Sequence, residues 1–346
     1  MAFRLIDSQP QGATSASDLT DGHGRRISYL RLSVTDRCDL RCTYCMPERM
    51  QFLPKRDVLS FEELIYMVDA FIDRGITKLR ITGGEPLVRR DVMDLFRNLA
   101  QRKSSSSLKE IALTTNGTRL EDFADELSDL GIRRINVSLD TLNPEKFASL
   151  TRRPVLDKVL AGLEAARSAG IKIKINTVAL KGVNEHELPD LIAWAHGQGF
   201  DLSLIEIMPL GEDMEGRSDD FLSLETVKSQ LGERWTLTPN DHSTGGPSRY
   251  VDIAETGGRL GFISPLSHNF CDTCNRIRVT CTGTLHTCLG HDNGIDLRDA
   301  LRAGDGLKRF HSHLDQALGV KPARHDFDTE TLDKPATRRT MSVTGG

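Results

Sequence analysis

From about residue 25 to about residue 210 the chain alternates β-rich runs with helical segments, and no other feature restricts its fold as much. Strands read over Tyr29–Val34, Lys78–Thr82, Glu110–Thr114, Arg134–Leu139, Ile171–Val178 and Leu202–Met208. Several are rich in β-branched residues and some alternate, as half-buried strands do. Helix ends are legible between them. Ser60 with Glu63 makes an S-x-x-E capping box ahead of Leu64, and Gly75 stands where that helix should stop. Asp157 is expected to open another helix that ends near Gly170, and Ser104–Ser107 reads as a solvated loop. Six βα units in a row imply a parallel sheet with right-handed crossovers. Six units fall short of a closed barrel. The expected α/β fold is therefore a partial, open six-stranded βα barrel whose open side suits a large substrate.

The rhythm defines three stretches. Residues 1–24 are polar and rich in Gly, Ser and Asp, and read as a flexible N-terminal segment. Residues 25–214 form the barrel. Beyond 215 the pattern is lost, and Gly245, Gly246 and Pro247 mark a loop, so 215–346 reads as a C-terminal module. The formal net charge is −4 over 346 residues, which argues against nucleic acid as the main partner. No apolar run approaches the ~18 residues a membrane span needs. Nor does the chain open with the charged start and apolar core of a secretory signal. A cytoplasmic protein with no membrane partner is expected.

Seven cysteines, clustered and without an export signal, read as metal ligands rather than disulfides. Cys38, Cys42 and Cys45 follow C-x3-C-x2-C. Three thiolates leave one iron of a four-iron, four-sulfur cluster open. An open iron beside a reducible cluster binds a small molecule and delivers one electron to it. A structural zinc knuckle prefers C-x2-C pairs and a fourth ligand, and none lies nearby in sequence.

The remaining distinctive residues fall at strand ends, where βα folds place their chemistry. Arg31 leads into the cysteine loop, and Arg80-Ile81-Thr82-Gly83-Gly84-Glu85-Pro86 closes the second strand. Adjacent glycines let the backbone approach a ligand with no Cβ in the way. Thr114-Thr115-Asn116-Gly117, Asn136-Val137-Ser138-Leu139-Asp140, Lys174-Ile175-Asn176 and Glu206-Ile207-Met208 close the next four. Cys271, Cys274 and Cys288 form a second group. A second three-cysteine cluster is one reading; zinc, with His286 or His291 as fourth ligand, is another. Directly after Cys274 comes Asn275-Arg276-Ile277-Arg278, whose alternate arginines share one strand face and suit a phosphate clamp.

The first triad, with Tyr44 before its last cysteine, and the Gly-Gly-Glu-Pro loop resemble the signature of radical S-adenosylmethionine (radical SAM) enzymes. With the second triad, Cys-x2-Cys-Asn-Arg-x-Arg and the terminal Gly345-Gly346, the chain from about residue 25 onward resembles the GTP 3′,8-cyclases of molybdenum-cofactor biosynthesis. The resemblance implies two [4Fe-4S] clusters, with Cys38, Cys42 and Cys45 holding the one that binds SAM. Cys271, Cys274 and Cys288 would hold the one that binds guanine. It implies SAM contacts from Tyr44, Gly84, Ser138 and Met208. GTP contacts are implied from Arg31, Arg80, Thr114, Lys174 and Arg276–Arg278 (Ile277 included), joined by Lys78. Arg31, Arg276, Arg278 and the tail glycines Gly345 and Gly346 would serve catalysis. In the implied reaction SAM is cleaved to methionine and a 5′-deoxyadenosyl radical, which takes hydrogen from C3′ of GTP. The carbon radical then attacks C8 of guanine, and one electron and a proton complete 3′,8-cyclo-7,8-dihydro-GTP. The resemblance also implies a homodimer, a cyclic pyranopterin monophosphate synthase downstream, and a reductant protein of unspecified kind.

Relatives often carry arginine where this chain has Ser203; another basic residue such as Arg217 is the expected substitute. Cys281, outside both triads, reads as a small packed residue. Two rivals remain at this level. A radical SAM maturase acting on a peptide has no need of the Asn-Arg-x-Arg run or the glycine tail. An iron–sulfur sensor has no need of the Gly-Gly-Glu-Pro loop.

Overall fold

The computed structural model describes residues 18–211, 217–303, 307–329 and 331–345. Strands β1 (Tyr29–Ser33), β2 (Lys78–Thr82), β3 (Glu110–Thr115), β4 (Arg134–Ser138), β5 (Lys172–Ala179) and β6 (Asp201–Glu206) pair in parallel in chain order. Each boundary lies within two residues of the sequence expectation. Between them run α1 (Phe61–Asp73), α2 (Val92–Ser105), α3 (Leu120–Asp129), α4 (Pro144–Thr151), α5 (Leu156–Ser168) and α6 (Leu188–Gly197).

The cap of α1 forms as its sequence dictates. Ser60 Oγ accepts from the Glu63 amide at 3.2 Å, and the Glu63 carboxylate accepts from the Ser60 amide at 2.8 Å. Gly75 ends the helix at φ +93°, where a Cβ would be strained. Two expectations give way. Ser104 and Ser105 are the last turn of α2 rather than loop, their hydroxyls donating back to the Gln101 carbonyl. Asp157 does not open α5: Val155 takes the cap position, and the acid lies in the first turn, where the helix dipole favours it.

After α7 (Arg217–Asp220) and α8 (Leu224–Arg234), the C-terminal part joins the same sheet at both edges. Strands β7 (Leu237–Asn240), β8 (Arg249–Ile253) and β9 (Gly258–Ile263) extend it beyond β6, with β9 parallel to β6. On the opposite edge β10 (Arg276–Val279) runs parallel to β1 and is followed by β11 (Thr284–His286) and β12 (Ile295–Asp296). An open barrel has two edges with unpaired backbone groups, and these strands cover both. The order is β12-β11-β10-β1-β2-β3-β4-β5-β6-β9-β8-β7. The chain continues through α9 (Arg298–Arg302), α10 (Leu307–Gly319) and α11 (Met341–Thr344).

A core between sheet and helices fixes this wall. Leu30, Leu79, Ile81, Leu113, Ile135 and Ile175 are buried strand members of one hydrophobic cluster. Helix α10 docks on α1 through an edge-on Phe71–Phe310 pair with ring centroids 5.3 Å apart. Residues 18–24 are not a free lead-in. Leu19 is buried, Thr20 bridges Arg26, and Asp21 accepts from the amides of His23 and Arg25. Residues 1–17 lie outside the described part. Among the described residues no helix is long and apolar enough to cross a membrane.

Candidate active site

Strand register assembles the site. Arg31 lies directly between Arg278 and Arg80, and Tyr29 between Arg276 and Lys78. Thr114, Asn136 and Lys174 form a second row across β3, β4 and β5, and Ser138 and Asn176 a third pair. Directly paired residues share a face, so these rows point together. All of them except Lys78 line one cavity that also takes in both cysteine triads, Tyr44, Gly84 and Met208. The alternation that turns Arg276 and Arg278 inward turns Ile277 outward into the hydrophobic core. Its side chain is thus excluded from the nucleotide contact implied for it.

The first triad sits on a loop held from two sides. Gly84 passes so close that a Cβ there would stand 2.4 Å from the Arg37 carbonyl oxygen. These glycines therefore admit the cysteine loop's own backbone as well as lining the cavity. Asn116 and Thr118 donate to Asp39 at 2.7 and 2.6 Å, pinning the loop from the β3 side. Glu85, fully buried, accepts from Thr115 Oγ1 and the amides of Asn116 and Leu87. Burial raises its carboxyl to about 7 against these hydrogen bonds. Burial first, then Glu85 and Asp39, push the Cys38 thiol up; burial and Asp140 push Cys45 up to about 11. Tyr44 donates to Asp140 at 2.6 Å.

The second triad has cationic neighbours. Burial pushes the Cys274 thiol up, but Arg276 and Lys321 outweigh it and bring it down to about 7. Lys321 Nζ lies 3.7 Å from Cys274 Sγ. Arg25 donates to the Cys271 carbonyl at 2.9 Å and is itself paired with Asp21 at 2.6 Å. Neither candidate zinc histidine joins: the ring of His286 bonds the Asn293 carbonyl and that of His291 the Arg324 carbonyl. Among the described residues no three His, Cys, Asp or Glu side chains converge as a single-ion site requires. Three thiols around a shared cavity, with no fourth protein ligand among the described residues, fit a cluster with one open iron in each place.

Between the triads lies the cationic wall. Tyr29 joins it: Arg80 Nε donates to its hydroxyl at 2.5 Å. Burial raises the Tyr29 phenol, yet Arg80, Arg31 and Lys78 outweigh that and lower it to about 7. Lys174 is buried and reaches the Tyr250 hydroxyl at 3.5 Å. Lys78 does not line the cavity; Glu110 holds its ammonium at 3.0 Å at the foot of β2. Ser203 is buried and meets Ser248 Oγ at 3.0 Å, so no cation enters from that position. The Arg217 side chain is outside the described residues. The tail does enter: Arg278 Nη1 and Arg31 Nη2 donate to the Gly345 carbonyl at 2.9 and 3.4 Å. A Cβ on Gly345 would stand 1.9 Å from Thr82 Oγ1, so the position admits only glycine. Gly346 is outside the described residues. Cys281 is buried just past β10, and burial pushes its thiol up to about 12.

Sequence reasoning passed over several of these residues. Tyr29 was detectable, since it alternates with Arg31 on β1. Asn136 and Asn176 were visible as strand-end polar residues but carried no role; each has a buried Oδ1 without a hydrogen-bond partner. Lys321, Arg25 and Tyr250 gave no local signal.

A family model described as the Radical SAM superfamily matches residues 32–195, and one described as Molybdenum Cofactor Synthesis C matches residues 200–327. Among solved structures, SuiB of Streptococcus suis bound to S-adenosylmethionine superposes with a TM-score of 0.57. It is 17% identical, with 82% of this chain and 67% of SuiB covered, a likeness of fold alone. Fold and site together define a radical SAM enzyme. A GTP 3′,8-cyclase of Erythrobacter litoralis is 60% identical over 332 residues, 96% of this chain and 100% of the relative. One from Bradyrhizobium diazoefficiens is 57% identical over 340 residues, 98% of each. The chain belongs to the GTP 3′,8-cyclase family of radical SAM proteins.

Proposed function

We propose that the barrel of residues 25–214 holds SAM and the 215–346 module holds the far end of GTP, in one chamber closed by the tail. The activity is that of the family: conversion of GTP to (8S)-3′,8-cyclo-7,8-dihydroguanosine 5′-triphosphate, the first step of molybdenum-cofactor biosynthesis. When bound, the two [4Fe-4S] clusters and SAM supply the electron and the 5′-deoxyadenosyl radical that takes hydrogen from C3′ of GTP.

The chain's own residues do the rest by holding and orienting. Cys38, Cys42 and Cys45 carry the first cluster, and Tyr44, Gly84, Ser138 and Met208 seat SAM beside it. Cys271, Cys274 and Cys288 carry the second cluster, at the guanine. Arg31, Arg80, Thr114, Lys174, Arg276 and Arg278 receive GTP. Guanidinium forks match phosphate oxygens in pairs and gain strength where water is excluded. Lys78 backs this wall from behind Tyr29, its ammonium 4.9 Å from the ring centroid. Gly345 is held by Arg31 and Arg278, and with Gly346 it orders those arginines for catalysis.

The observation that carries this reading is that a single cavity is lined by both triads and by Arg31, Arg80, Arg276 and Arg278 between them. The product then passes to a cyclic pyranopterin monophosphate synthase. The chain works as a homodimer in the cytoplasm, on electrons from a separate reductant protein. Anaerobic turnover of the reconstituted protein with SAM, a strong reductant and each of GTP, ATP, CTP and UTP tests the substrate. Formation of 5′-deoxyadenosine in step with GTP loss alone supports it. Equal 5′-deoxyadenosine with every nucleotide rejects GTP and returns the chain to peptide maturation.

A further inference from the structure

One buried cation stands outside every role assigned above. Lys321 follows α10 and is 3% exposed. Its ammonium donates to the Thr287 carbonyl at 2.5 Å and the Arg276 carbonyl at 3.4 Å, and lies 3.7 Å from Cys274 Sγ. Among the described residues it forms no ion pair with a carboxylate. Arg25 makes the contrast. It reaches the carbonyls of Cys271, Ala323 and Pro322, but Asp21 neutralises it at 2.6 Å. Burying an ammonium without a counter-ion is costly, so this charge needs a negative partner inside the fold. The nearest is the Cys274 sulfur.

The two carbonyls are informative. Arg276 lies two residues past Cys274, and Thr287 immediately precedes Cys288. One donor thus joins the two parts of a triad that the β10–β11 hairpin separates.

We propose that Lys321 is a positioning residue for the second triad, clasping its two stretches together and placing a positive charge beside Cys274. The inference rests on Cys271, Cys274 and Cys288 being cluster ligands. A fixed positive charge at a ligand favours the more negative, reduced state of the centre it holds. Removing it makes that centre harder to reduce and leaves the first triad's centre alone.

The test is iron analysis and a potentiometric titration followed by electron paramagnetic resonance, on the reconstituted full chain. The unaltered chain is expected to hold about eight irons; only about four would defeat the cluster reading itself. Lys321→Gln keeps a donor without the charge. It should retain its iron but titrate the second centre at a more negative potential, with the first unchanged. Lys321→Met loses both, and its iron should fall toward about four per chain. Lys321→Arg should restore both properties. Retained SAM binding at the first triad shows that each variant has folded. An unshifted second potential in Lys321→Gln overturns the electrostatic role, and full iron in Lys321→Met overturns the clasp.

Discussion

The two cysteine triads open on one chamber but stand in opposite electrostatic surroundings. Around the first, the charged side chains that act on the thiols are acids, Glu85 and Asp39 at Cys38 and Asp140 at Cys42 and Cys45, while Arg41 donates to the Cys38 carbonyl on the backbone side. Around the second they are bases, with Arg276 and Lys321 beside Cys274 and Lys321 beside Cys288. The division matches the two molecules to be held. SAM carries a sulfonium and an ammonium and suits an acidic wall; a nucleoside triphosphate is a polyanion and suits a basic one. Overall charge says nothing of this, since the chain is near neutral at −4. Local charge, arranged by strand register, thus gives one cavity two unlike sides that suit the two ligands proposed for it.

The largest test of this division is to remove a ligand from each side. Cys42→Ala should cost about four of about eight irons and abolish SAM cleavage. Cys288→Ala should cost the same iron yet leave SAM cleavage running, uncoupled from loss of GTP. Iron analysis with 5′-deoxyadenosine and nucleotide assays reads both. Equal silence in the two variants would break the comparison.

A smaller effect is expected at the tail. Gly345→Ala places a Cβ 1.9 Å from Thr82 Oγ1 and must expel the carbonyl that Arg31 and Arg278 hold. Conversion of GTP should fall by about 10²-fold, the scale of losing one positioned charge contact. SAM binding at the acidic side, measured by equilibrium titration, should not change.

The basic side should also show its own pH response. The Tyr29 phenol is lowered from 10.0 to about 7, so above that pH it becomes a phenolate beside Arg80 and Arg31, the cations proposed to receive phosphate. Bound triphosphate opposes that ionisation, and binding then requires proton uptake. GTP affinity should therefore be flat below about pH 7 and fall above it, by at most about tenfold per pH unit. Tyr29→Phe should remove the slope in a binding titration across pH 6 to 9. The smallest effect belongs to the cysteine in neither triad. Cys281→Ala should leave iron unchanged and lower stability by about 1 kcal/mol, read by denaturant unfolding.

Much of the barrel was legible because its signals are local. The capping box at Ser60 and Glu63 and the φ +93° stop at Gly75 involve only neighbours in the chain. Serine propensity misled at Ser104 and Ser105, where hydroxyls that bond back to the helix let α2 run on. Ile277 was assigned with its arginine neighbours, although strand alternation already placed it on the opposite face. Lys78 was expected with the phosphate contacts that the resemblance implies, but Glu110, on the neighbouring strand, pairs with its ammonium.

By itself the sequence determined the βα rhythm, the three-thiolate count of the first triad and the shared face of Arg276 and Arg278. Each follows from backbone period or valence, which act over a few residues. Only the tertiary structure decided that β9 and β10 pair onto the two edges of the six-stranded barrel, and that Lys321 meets a sulfur 47 positions away. It alone brought the Gly345 carbonyl to Arg31, 314 positions distant. Contacts of that span form only when the whole core packs, because the entropy of closing such loops is repaid by burial elsewhere and by no signal in the segments that meet.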